Sequence, residues 1–310
     1  MDPVPYCPDD VVNSASLLER GLTSHDIARL CRAGTLHPLV RGWFATRPLR
    51  DQVDRHLLSA RALTRHFDGR AVPSHHSRLL ALGLPVWRAD LAVVHLTRVH
   101  DRGSRKREGF TVHPAIDGLD VVRSTSAEGV PAAVAIVQTG ILNGPMDALI
   151  AADGALHLGL VDESDIVAAL VLFAGRTGVA PVRAALAHAD GRHESPGETR
   201  LAAVLRDLGV RTTPQVWIPT RQGAKRVDAL LDEHPVVLEF DGAVKYRSPA
   251  GSRRPDDPAG NPLFEEKERE DAIRDEHFEV VRVVWRQLGD PGGIHRRILD
   301  AIARCTRRSA

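Results

Sequence analysis

A chain of 310 residues with 43% hydrophobic and 26% charged residues can bury sizeable cores and exceeds one average domain, so two or three domains are expected. Its 41 basic and 40 acidic residues leave a net charge of +1, which gives no global attraction to nucleic acid and confines any such role to local patches. The longest apolar runs fall far short of the ~20 residues of a membrane span, Met1-Asp2-Pro3 opens no secretory leader, and Cys7, Cys31 and Cys305 are scattered without a CxxC, so a soluble cytoplasmic protein without a disulfide framework or a cysteine-built zinc site is expected.

Residues 14–21 and 22–34 predict two short helices, the second with Ile27, Leu30 and Cys31 at helical spacing, Thr23 or Ser24 as cap and Gly34 as stop. Residues 36–44 alternate around Val40-Arg41-Gly42-Trp43 as a hairpin does, which completes the order of a winged helix. Between Arg20 and Arg50 six arginines face one acid, Asp26, a local charge of +5. Arg29, Arg32, Arg41 and Arg47 are therefore candidate phosphate contacts on DNA, with a solvated helix face as the alternative.

The middle of the chain predicts a helix over 53–66, strands over 91–96 and 111–113, and helices over 131–141, 145–152 and 164–173. His75 and His76, read as strand neighbours, point to opposite faces with no third ligand in view, so no metal is expected there. The basic stretch 102–107 is either a phosphate contact or a solvated hairpin tip, and polar residues 187–193 mark a boundary.

No lysine follows a glycine and no HExxH or GxSxG occurs, which argues against phosphate-loop ATPases, zinc proteases and serine hydrolases and leaves the chemistry to the C-terminal third. Ser195-Pro196-Gly197-Glu198 is a strong helix start, with Glu198 as a capping-box carboxylate, and Gly209 ends the helix. Strands are predicted over 212–218, 226–231 and 236–241, the last two joined by four loop residues. If Leu231 pairs with Val236, Asp228 falls opposite Glu239, and alternation puts Asp241 on the face of Glu239. A one-residue slip would move the set to the other face. Converging carboxylates need an offsetting charge, which Mg²⁺ or Mn²⁺ supplies through hard oxygen ligands, and Lys245 follows four residues after Asp241. The charged run 265–271 predicts a solvated helix, with Lys267 turned toward the site as the alternative, and Trp285 is expected in the core.

Glu198, Gln215, Arg226-Val-Asp228, Leu238-Glu-Phe-Asp-Gly-Ala-Val-Lys-Tyr246, Glu266-Lys-Glu-Arg-Glu-Asp-Ala-Ile-Arg274 and Val280-Val-Arg-Val-Val-Trp285 together resemble a nuclease family related to the very-short-patch-repair endonuclease, within the PD-(D/E)XK restriction-endonuclease-like superfamily. The resemblance implies that Asp228 and Glu239 ligate the metal, that Glu198 and Asp241 support it or hold a second ion, and that Lys245 takes the lysine position. The superfamily triplet reads Glu239-Phe240-Asp241 here, with an acid where the lysine belongs, so Lys245 acts from a displaced position or Lys267 reaches in; residues 247–262 form a long insertion after the site.

The first half is similar to AbiEi-type antitoxins of type IV toxin–antitoxin systems, through Gly21-Leu-Thr23, Gly34-Thr-Leu36, Val40-Arg-Gly-Trp43 and Pro73-Ser-His-His-Ser77. That similarity implies a promoter-binding winged helix, a domain for toxin neutralisation and a nucleotidyltransferase toxin as partner. The expected fold is α+β in three parts: a winged helix over 1–55, a mixed middle domain over 56–190, and over 191–310 a restriction-endonuclease-like mixed sheet flanked by helices. The expected function is a metal-dependent DNA endonuclease; the alternative is a regulator or antitoxin whose nuclease-like domain is degenerate, and an RNA or branched-DNA substrate stays open.

Overall fold

The computed structural model describes residues 9–121, 128–242 and 262–309, with backbone alone at 262–266 and 309. It is an α+β protein whose described residues form eleven α-helices and three antiparallel or mixed sheets. Two compact units divide the chain, Met1–Ala189 and Asp190–Ala310. Among the described residues no helix is long and apolar enough to cross a membrane.

The first unit opens with β1 (Val11–Asn13), α1 (Ser14–Glu19), α2 (Ser24–Arg32), β2 (His37–Pro38) and β3 (Trp43–Ala45), the strands forming a small antiparallel sheet in the order β1-β3-β2. Local chemistry sets these limits. The Asn13 carboxamide oxygen accepts the Ser16 N–H at 2.7 Å, and Thr23 and Asp26 form a reciprocal capping box at the start of α2. Ile27 and Leu30 turn inward onto Val12, Leu17 and Leu36.

α3 (Gln52–Phe67) follows, then β4 (Ala71–Pro73), α4 (His75–Ala81), β5 (Val94–Arg98), β6 (Arg105–Arg107), β7 (Phe110–His113), α5 (Ala132–Asn143), α6 (Pro145–His157), α7 (Glu163–Leu172) and α8 (Val179–Leu186). The second sheet runs β4-β5-β7-β6, with β5 and β7 parallel. α3 serves two cores: Leu58 and Ala62 pack with Val11, Leu39 and Trp43, whereas Ala60, Leu63 and Phe67 pack with Val94, Leu96 and Val112. Residues on either side of position 55 thus belong to one unit.

Three local readings of this unit change. His75 and His76 begin a helix instead of continuing a strand, because Pro73 ends β4 and Ser74 stands in the N-cap position of α4. β5 starts at Val94, not at 91, since the Asp90 carboxylate accepts the Ala92 N–H at 2.9 Å and holds a turn there. α8, which the sequence did not announce, starts after Gly178 in a left-handed conformation.

The second unit comprises α9 (Pro196–Asp207), β8 (Thr212–Ile218), β9 (Lys225–Leu231), β10 (Val236–Asp241), α10 (Pro262–Asp275), β11 (Glu279–Val284), a 3₁₀ turn (Trp285–Gly289) and α11 (Pro291–Ser309). β8, β9 and β10 form an antiparallel meander, and β11 adds parallel to β10 through α10, giving the order β11-β10-β9-β8. Leu201, Leu205, Leu238, Val281, Ile294 and Ile298 share the main core. Trp285 is partly buried against that core, edge-on to Phe240 with ring centroids 4.9 Å apart.

The start of α9 lies hard against β10. A Cβ at Gly197 would sit 1.9 Å from the Phe240 ring, so only glycine permits this approach. Gly197→Ala is expected to destabilise the protein by about 1–3 kcal/mol through overpacking. Urea denaturation of this variant, and of the double variant with Phe240→Leu, checks the cause: the second change should restore part of the loss.

Candidate functional site

β10 is a central strand, and its residues from Val236 to Phe240 are buried. It pairs with β9 as Val237 with Leu230 and Leu238 with Ala229, the register in which Asp228 comes next to Glu239. On the other side, Glu239 is the partner of Arg282 in β11. On β8, Pro214 pairs with Ala229 and Val216 with Val227, which brings Gln215 level with Asp228. Gln215, Asp228, Glu239 and Arg282 therefore form one polar row across all four strands.

Each carboxylate of the expected cluster is engaged in its own way. Glu239, only 5% exposed, accepts a hydrogen bond from Arg269 of α10, Nη2 to Oε1 2.5 Å, and its other oxygen lies 3.8 Å from Arg282. Arg269 also donates to the Arg226 carbonyl at 2.6 Å, and Arg282 to Glu270 at 2.9 Å. Asp228 accepts the Phe240 N–H at 2.8 Å, bridging β9 and β10 just beyond their last paired residues. Asp241 ends β10 level with Val284, half-exposed.

Glu198 accepts hydrogen bonds from Ser195 Oγ at 2.7 Å, the Glu194 N–H at 3.0 Å and Gln215 Nε2 at 2.9 Å. Ser195 caps α9 as expected, but the reciprocal half of the capping box is not made: the Glu198 carboxylate takes the Glu194 N–H in place of the Ser195 N–H, and a link to the sheet is added. Gln215 makes this link from a left-handed backbone, φ +56°, a conformation that costs a non-glycine residue about 1–3 kcal/mol and gathers at functional sites.

Among the described residues these carboxylates do not form a group of three placed to share an ion. The convergence expected from strand alternation gives way to the arginines, the Phe240 N–H and Gln215. The donor chemistry nevertheless suits a hard divalent cation, because Asp228 and Glu239 stand side by side; a cation there would exchange with Arg269 at Glu239. Lys245 and nearly all of 247–262 lie outside the described residues. Lys267 is exposed on α10, and the cation that α10 sends to Glu239 is Arg269, two residues on.

In the first unit Arg29, Arg32 and Arg41 are exposed, Arg29 paired with Asp26 at 3.0 Å. Arg47 is committed to the fold: its guanidinium grips Asp54 at two 2.7 Å contacts and also reaches Asp10 at 2.8 Å and the Pro48 carbonyl. Those bonds hold the buried Asp54 carboxyl well below the usual carboxylate range. Arg102 pairs with Asp117 at 2.7 Å, and β6 leaves Arg105, Lys106 and Arg107 exposed.

Sequence reasoning missed a second constellation. His95 on β5 is level with Thr111 of the parallel β7, so His113, two residues on, lies diagonally across the same face, and α4 brings His75 against both. One ring nitrogen from each of the three lies within 4.8 Å of the others. His95 Nδ1 and His113 Nε2 are 2.8 Å apart, and the rings of His75 and His113 stack with centroids 4.0 Å apart. His76 and His56 continue the cluster inward, His56 Nε2 reaching Ser77 Oγ at 2.8 Å. Burial pushes His95 down to about 3 and His113 to about 4. Burial, with His56 alongside, takes His76 to about 4, and His75 falls well below the ordinary imidazole value. The signal was the spacing of 95 and 113 on two strands, which points to one face only once a parallel pairing is known.

A comparison with protein-family models and with curated proteins found no match for this chain.

Two outcomes follow from this geometry. Removing Arg269 with alanine leaves Glu239 buried beside a more distant cation and should cost about 3 kcal/mol in denaturant-measured stability, while Lys267→Ala stays within about 0.5 kcal/mol. The depressed histidines set a pH dependence of the same sign as a depressed carboxylate such as Asp54, but in a higher window. Their folded-state values lie below that of a free imidazole, about 6.5, so the unfolded chain takes up protons first; stability is full above that pH and falls toward pH 4. The expected slope is roughly 1.4 kcal/mol per pH unit for each histidine within its window, read as a falling thermal midpoint between pH 7 and 4.5.

Proposed function

We propose that this chain is a metal-dependent DNA endonuclease of the cytoplasm, placed on duplex DNA by a winged-helix-like N-terminal arm. The observation that carries the reading is the second unit: helix, three-strand meander, helix, parallel strand and helix, with Asp228 and Glu239 side by side at the middle of the sheet. This is the element order that the restriction-endonuclease-like resemblance calls for. Asp228 and Glu239 would hold Mg²⁺ or Mn²⁺, with Asp241 and Glu198 in supporting places. When bound, such an ion supplies Lewis acidity to the scissile phosphate and lowers the pKa of an attacking water.

The chain's own residues have separate tasks. Gln215 fixes Glu198 against the sheet edge, and Asp228 ties β9 to β10 so that the carboxylate row keeps its register. Arg269, set against Glu239 from α10, is a cation beside the first acid of a triplet that lacks its lysine, and Lys245 is the second candidate for charge stabilisation. Arg29, Arg32 and Arg41 present exposed positive charge for mostly sequence-independent phosphate contacts.

A second reading rests on one observation: the Arg269–Glu239 pair already neutralises the buried carboxylate. In that reading the unit binds DNA without cutting, and the protein is a transcriptional regulator or antitoxin, paired with a nucleotidyltransferase toxin. Incubation of supercoiled plasmid with wild type and Glu239→Gln, in Mg²⁺, Mn²⁺ or EDTA, separates the two. The endonuclease nicks only with metal, and Glu239→Gln loses cutting while keeping DNA affinity within a few-fold. Equal products from both proteins remove the site assignment; binding with no cutting in any metal selects the regulator.

A further inference from the structure

We propose that His75, His95 and His113 form a three-imidazole site for a divalent transition metal of the zinc type in the first unit, separate from the carboxylate row. Three neutral imidazoles with an open fourth position are a donor set that zinc accepts. Zinc–nitrogen bonds of about 2.0–2.1 Å around a tetrahedral ion put neighbouring nitrogens about 3.3 Å apart. Here His95 Nδ1 and His113 Nε2 stand 2.8 Å apart and all three nitrogens fall within 4.8 Å, so one pair opens by roughly half an ångström while the third closes.

Surrounding bonds orient one ring and hold the backbone that carries two of the ligands. Ser74 Oγ lies 2.9 Å from His75 Nδ1, which leaves Nε2 as the atom that His75 offers. Gln138 of α5 accepts the His75 N–H at 3.3 Å and donates to Thr97 Oγ1 at 3.0 Å, tying α4 to the strand that carries His95. Ser77 Oγ accepts the His95 N–H at 2.8 Å. His75 takes up this place with φ +51°, an unfavourable left-handed backbone at the first residue of a helix, so the ring position is maintained against a local cost. Half-exposed His113 provides the way in.

The test uses the full chain, stripped with a chelator and titrated with Co²⁺ and then Zn²⁺. The expected result is the visible absorption of tetrahedral cobalt bound one to one, displaced by Zn²⁺ and unchanged in an Asp228→Asn, Glu239→Gln double variant. His113→Gln should weaken Zn²⁺ binding at least about 100-fold, and Ser74→Ala, acting through His75, by about 10–100-fold. Imidazole ¹⁵N resonances of His75, His95 and His113 in the wild type should shift together on adding Zn²⁺, a readout that holds even where a variant fails to fold. Folded wild type that takes up neither metal, uptake that survives His113→Gln, or unmoved imidazole resonances would each overturn the site.

Discussion

A carboxylate buried on a central strand must be met by positive charge, and the second unit is organised around that demand. Glu239 lies between β9 and β11, beyond the reach of ample water, where an uncompensated charge costs several kcal/mol. Arg269 answers from α10 and Arg282 from the neighbouring strand. Arg269 also holds the Arg226 carbonyl, so the same guanidinium that neutralises Glu239 fastens α10 to β9. Electrostatics and topology are thus one problem: the crossover helix that makes β11 parallel to β10 is also the carrier of the compensating charge.

The first unit meets buried polarity differently. Among the described residues its interior histidines meet no arginine-like partner; burial holds them neutral, and their ring nitrogens reach one another, serine hydroxyls and main-chain carbonyls, with His76 Nδ1 left without a hydrogen bond. A neutral imidazole offers a nitrogen donor without a charge to offset, whereas the Glu239 carboxylate is already paired with Arg269. The two units therefore carry different donor sets, borderline imidazole nitrogen in one and hard carboxylate oxygen paired with arginine in the other.

Much of this was legible from the sequence, for local reasons. β8 and β10 fall on the predicted residues, and the β9–β10 register follows from a short hairpin, since strand alternation and turn length are properties of neighbouring residues. The capped starts of α2 and α9 were readable because Thr23 with Asp26, and Ser195 with Glu198, are close in the chain. What escaped depended on distant partners. Nothing local to Arg269 or Arg282 marks them as partners of Glu239, and nothing local to His113 joins it to a histidine 18 residues earlier across a parallel pairing. The end of β4 and the start of α4 also hinge on a proline and a serine whose roles the neighbouring histidines obscured.

The double allegiance of α3 bears on how such a protein is assembled from parts. One helix carries alternate rows of side chains, Leu58 and Ala62 for the small sheet, Ala60, Leu63 and Phe67 for the larger one. Neither core can be transplanted with its own complete lining unless the helix travels with it, and a graft that divides the chain near residue 55 strips one wall from the N-terminal module. A cut on either side of α3 therefore deprives one of the two cores of a wall, and the division between compact units falls far downstream, between Ala189 and Asp190.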